Sequence, residues 1–132
     1  MPNAQDIEGT VFKNGSAILL ARVVGADGEA ITRNTLAAIR YTVYLLDDHD
    51  PDQQTPQDGH VGISLSVAEA VYDLVQTDAV WTRDSIGYNF KHVLDVSAHE
   101  AFPMAGRSYR IVYELSPTSG QVILLRFRVH AI

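Results

Sequence analysis

Cysteine is absent from the 132 residues. Neither a disulfide framework nor a thiolate metal site is therefore available, and nothing in the composition argues for an oxidising compartment. Long hydrophobic runs are missing too: no window approaches the roughly 20 apolar residues of a membrane-spanning helix. The polar, acidic start from Met1 to Thr10 has neither the charged opening nor the apolar stretch of a secretory leader. Residues 1–10 are expected to form an extended arm of a soluble, unprocessed chain in the cytoplasm or in a virion, with no membrane partner. Asn14-Gly15-Ser16 fits a glycosylation acceptor but, without a leader, reads as a turn before a strand.

Chemical signatures are equally scarce. The chain has no glycine-rich phosphate loop, no His-Glu-x-x-His, no Gly-x-Ser-x-Gly elbow and no calcium-loop spacing. Gly62-Ile63-Ser64-Leu65-Ser66 approaches the elbow but lacks its second glycine. No catalytic residue, metal ligand or cofactor is assigned. Ten Lys and Arg against sixteen Asp and Glu give a net charge of −6, which disfavours nucleic acid as a partner of the whole molecule.

What the chain does have is alternation. Tyr109, Ile111, Tyr113 and Leu115 share one parity, and Ile123, Leu125, Phe127, Val129 and Ala131 another, on either side of Ser116-Pro117-Thr118-Ser119-Gly120. This predicts a hairpin with one core face. Ser16 to Val24, Ala38 to Asp47 and Tyr88 to Val96 alternate in the same way, and Gly62 to Ser66 reads as a short strand. Ser66 and Glu69 have capping-box spacing before Val67, Ala70, Val71, Leu74 and Val75, which predicts one helix of two to three turns within residues 67–76. The expected fold is all-β: a single immunoglobulin-like antiparallel β-sandwich over residues 1–132 with one short helix.

Three segments carry a resemblance: Ala21-Arg22-Val23-Val24-Gly25-Ala26-Asp27-Gly28, then Ile39-Arg40-Tyr41-Thr42-Val43-Tyr44, then the closing hairpin. In that order they resemble bacterial and phage Ig-like modules, above all the N-terminal Ig-like domains of phage baseplate upper proteins. The resemblance implies a non-enzymatic structural or adaptor role in a virion, with partners that are further copies of the chain or other virion proteins. The helix and the acidic loop depart from a minimal Ig domain.

Two candidate surfaces follow. If the strands at 16–24, 38–47, 108–115 and 121–132 share a sheet, their non-core residues converge: Ile18, Leu20, Arg22, Arg40, Tyr44, Leu46, Arg110, Val112, Val122, Leu124, Arg126 and Arg128. Aliphatics mixed with arginines suit an interface better than free surface. The second candidate is the loop from Asp47 to Gly59, which has no apolar residue and five aspartates, Asp47, Asp48, Asp50, Asp52 and Asp58. It is expected to be solvated and to dock on the arginine face of a neighbour. His92 shares parity with Tyr88, Phe90, Leu94 and Val96, so a buried neutral imidazole bonded to backbone is expected. Trp81, Tyr72 and Tyr88 would form an exposed platform if the chain were instead a carbohydrate-binding module.

Overall fold

The computed structural model describes residues 7–25, 28–50, 52–78, 81 and 85–132. The C-terminal hairpin forms as its alternation requires. Strands β8 (Ser108–Pro117) and β9 (Ile123–Ala131) pair antiparallel with Ile111 opposite Phe127 and Tyr113 opposite Leu125. Strand β3 (Leu36–Leu46) pairs with the other side of β8, Tyr41 against Tyr113 and Val43 against Ile111. Tyr109, Ile111, Tyr113 and Leu115 are thereby buried between β3, β9 and the opposite layer. Strand β1 (Ile7–Val11) adds in parallel to β9, while β4 (Gln54–Pro56) and β5 (Ile63–Leu65) pair with β3, giving the order β1-β9-β8-β3-β4 with β5 beside β3.

The second layer is a sheet of β2 (Ile18–Ala21), β7 (Tyr88–Val93) and β6 (Val71–Gln76), in the order β2-β7-β6. With β2, β7 and β6 in one layer and β9, β8 and β3 in the other, the two sheets pack face to face as an all-β sandwich. Near the start of β8, the Tyr109 hydroxyl accepts a 3.0 Å hydrogen bond from the Met104 N–H. Both layers contribute to one core, with Leu19, Ala21, Val71 and Phe90 meeting Ile39, Val43, Ile111 and Phe127.

Several expectations are corrected. Ile7–Val11 is a strand rather than part of an arm, because it pairs with β9 and packs Ile7 and Val11 against the core; residues 1–6 lie outside the described residues. The helix α1 is a single turn, Val67–Ala70, and the Ser66 side chain makes no cap bond; from Val71 the chain is strand, drawn into pairing with β7. The loop after β3 contains the exposed strand β4. The sequence also reads as turns at Gly25-Ala26-Asp27-Gly28 and around Arg83-Asp84-Ser85, and both lie partly outside the described residues. The largest correction concerns β2: it pairs with β7, Ile18 opposite Val93 and Leu20 opposite Lys91, so it lies across the core from the hairpin.

Candidate interaction surface

The pairing registers arrange the outward residues of the larger sheet in rows. One row runs Arg40, Glu114, Leu124; the next Thr42, Val112, Arg126; the third Tyr44, Arg110, Arg128, Glu8. Nine of the twelve residues expected on this face belong to these strands or to the turn entering β9, and Ile18, Leu20 and Arg22 do not, because β2 is in the other sheet. Leu46 is also removed from the face. Alternation fails at the end of β3, where Leu45 is half-buried and Leu46 fully buried. The backbone carbonyl of Leu46 accepts from Arg107 Nη2 at 3.1 Å, which helps hold that end.

Four arginines remain on the face, against Glu114 and Glu8. Arg40 pairs with Glu114 at 2.6 Å across β3 and β8. Arg110 and Arg128 stand directly opposite each other, an arrangement of like charges that costs stability in a sheet. Arg110 reaches Gln54 on β4 at 3.3 Å. Leu124 is 53% exposed and Val122 equally so. The aliphatics thus lie beside a cationic strip rather than in a dry core.

The acidic loop begins at the rim of this face and is organised by its own backbone. Asp47 accepts from the N–H groups of His49 and Asp50 at 2.8 and 3.0 Å, and Asp50 accepts from that of Asp52 at 3.1 Å. Those bonds hold the Asp47 carboxyl below its usual pKa. Asp48 forms an ion pair with Arg107 at 2.9 Å, so its charge is engaged within the chain. Asp50, Asp52 and Asp58 are exposed. Past the loop, Gly59 adopts φ +82, and a Cβ there would stand 2.2 Å from the His99 ring. Next to it, the Val43 N–H donates to the His60 carbonyl at 2.8 Å, which holds His60 beside β3.

His60 is buried, although no apolar neighbour in the preceding loop signals it. Its Nε2–H donates to the His99 carbonyl at 2.8 Å, leaving Nδ1 to accept from the Tyr41 hydroxyl at 2.9 Å. His92 is partly buried, but its bond goes to the Tyr113 hydroxyl, 2.6 Å from Nδ1, and not to backbone. It is His60 that holds a carbonyl. Burial, and secondarily His60, push the His92 pKa down to about 4. The Tyr41 ring lies 4.9 Å from that of His92 and 5.8 Å from that of Tyr113, centroid to centroid. This polar cluster ties together the two layers.

Tyr72, Trp81 and Tyr88 do meet, with ring centroids 5.8 and 5.7 Å from Tyr88. Tyr88 in the middle is buried and its hydroxyl donates to Asp78 at 2.8 Å, so the group is a packed cluster and not an exposed platform. Among the described residues, no three His, Asp or Glu side chains form a metal-binding group, and no helix is long and apolar enough to cross a membrane. No protein-family model matches the chain, and no curated protein or solved structure is significantly similar to it.

Proposed function

We propose that the protein is a non-enzymatic structural or adaptor module that acts through protein–protein contacts, as a head, tail or baseplate component of a phage-type virion. The observation that carries this reading is the outward face of β1-β9-β8-β3-β4, where Arg110 faces Arg128 in one row, Arg126 stands in the next, and Leu124 and Val122 are exposed beyond it. A solvated sheet face has no need to set arginines opposite one another on the same face as bare aliphatics; a surface that meets an acidic, partly apolar partner does. The strand order, with β2-β7-β6 facing β9-β8-β3, is the one an Ig-like module would have; the virion setting rests on the resemblance of the three sequence segments to phage modules.

The partner is another copy or a second virion protein. Asp50, Asp52 and Asp58 are the acids left for a neighbour, since Asp48 is held by Arg107. A loop docking on a face of another copy is a heterologous contact and builds rings or tubes. The test is Val122→Ser with Leu124→Ser, both exposed on this face. Association with copies or with virion proteins is expected to weaken by at least about tenfold while the melting temperature stays put. Unchanged association in the double variant would sink the reading.

A further inference from the structure

The free edges of the two sheets are protected unequally. Strand β6 slips register between Val71 and Gln76, so its edge is broken by a bulge. Strand β4 ends in Pro56 next to the acidic loop, and β1 carries Glu8. Strand β2 reads Ile18-Leu19-Leu20-Ala21, without charge, proline or glycine, and pairs with β7 in unbroken register. Such an edge is a template for another strand.

Its hydrogen-bonding groups point the right way. The Leu94 N–H donates to the Ala17 carbonyl at 2.9 Å, so the backbone groups of residues 17, 19 and 21 face β7. By alternation those of Ile18 and Leu20 face outward. Among the described residues no strand pairs with that side. A cleft of about 450 Å³, lined by Ser16–Leu20, Ile7–Val11 and Trp81, opens between β2 and β1 at this side.

We propose that β2 pairs antiparallel with β2 of a second copy about a twofold axis at Leu19. Ile18 then stands opposite Leu20 of the partner subunit, and the two exchange backbone hydrogen bonds in both directions, about four in all. Side-chain parity agrees with this register. Leu19 stays in its own core, while Ile18, 53% exposed, lies against Leu20 of the partner subunit on the outer face. Val93, opposite Ile18 on β7 and 54% exposed, widens the apolar strip. Arg22 faces Ser16 of the partner subunit, so no like charges oppose. A slip by one residue would turn outward side chains against inward ones, so only even shifts keep the faces, and a shift of the axis to Leu20 would set Ile18 against Arg22 of the partner subunit. The contact joins two three-stranded sheets into one and uses none of the arginine face. An isologous contact here and a heterologous one there would extend an assembly in two directions.

The experiment is sedimentation velocity of the full chain from about 1 to about 500 μM in about 0.5 M salt, which screens charge contacts. Hydrogen exchange of the Ile18 and Leu20 amides is read across the same range. A dimer is expected, with protection of both amides rising with concentration. Leu20→Pro removes an N–H that points away from β7, and Ile18→Lys places a charge on the outer face, so neither touches the β2–β7 ladder. Each is expected to weaken the dimer by at least about tenfold without lowering the melting temperature measured at the lowest concentration, where the parent is monomeric. Should Leu20→Pro fail to fold, Ile18→Lys and the parent's exchange decide. A parent monomeric throughout, an Ile18→Lys variant that dimerises like the parent, or amides already protected at the lowest concentration would each overturn the proposal.

Discussion

His92 and Asn89 show how single polar groups hold the sandwich together. The His92 pKa of about 4 lies below the usual value near 6.5, so the folded state keeps the ring neutral where the unfolded chain protonates it. Stability is therefore full above about pH 6.5 and is lost as pH falls toward 4. The shift corresponds at most to about 3 kcal/mol, and the ring's partial exposure reduces this to about 1–2 kcal/mol. His92→Phe is expected to flatten the melting temperature between pH 4 and 6.5, and an unchanged pH dependence would assign it to other groups. Asn89 is buried, and its amide bonds both the N–H and the C=O of Val23, at 2.8 and 2.9 Å, continuing the β2–β7 ladder past Ala21. Asn89→Ala leaves the Val23 N–H without that acceptor and is expected to cost about 2–3 kcal/mol in denaturant unfolding. A loss below about 0.5 kcal/mol would show that water replaces the amide.

At the scale of elements, what was legible was parity and what was hidden was partnership. The hairpin could be read because Tyr109 to Leu115 and Ile123 to Ala131 alternate for most of their length, and burial follows that alternation. Alternation tells which residues of Ile18–Ala21 face a core, but both layers face the same core, so the sheet that owns β2 is set by pairing with β7. The segment from Val67 to Gln76 carries apolar residues compatible with a helix or with a strand. Pairing of Val71 with Phe90 and of Gln76 with Tyr88 chooses strand, and the bulge between them leaves Leu74 78% exposed. Because Ser66 makes no side-chain cap bond, Ser66→Ala is expected to cost less than about 0.5 kcal/mol, where a working cap would cost about 1. Tyr109→Phe, which removes the acceptor for the Met104 N–H, is expected to cost about 1–2 kcal/mol. Thermal or urea unfolding of the two variants checks that contrast, and the reverse ranking would contradict it.

For the molecule as a whole, charge is divided between one sheet face and the loop at its rim. The candidate face was partly legible: Arg40, Tyr44, Arg110, Val112, Val122, Leu124, Arg126 and Arg128 belong to one layer, as alternation and the hairpin suggested. Its missing members were placed by strand order, and Leu46 by the break of alternation at the end of β3. Neither is encoded in local spacing. The loop's aspartates were legible as an exposed group, whereas the engagement of Asp48 by Arg107 joins residues far apart in the chain. If the arginine face meets acids of a neighbour, association must weaken as the screening length falls from about 14 Å at 50 mM salt to about 4 Å at 500 mM. The most direct test is sedimentation of the parent and of Arg110→Ser with Arg128→Ser across that series. The parent's salt-sensitive association is expected to fall by at least about tenfold over the series. The double variant, already at about 50 mM, is expected to associate as weakly as the parent does at about 500 mM. Parent and variant associating equally at every ionic strength would contradict it.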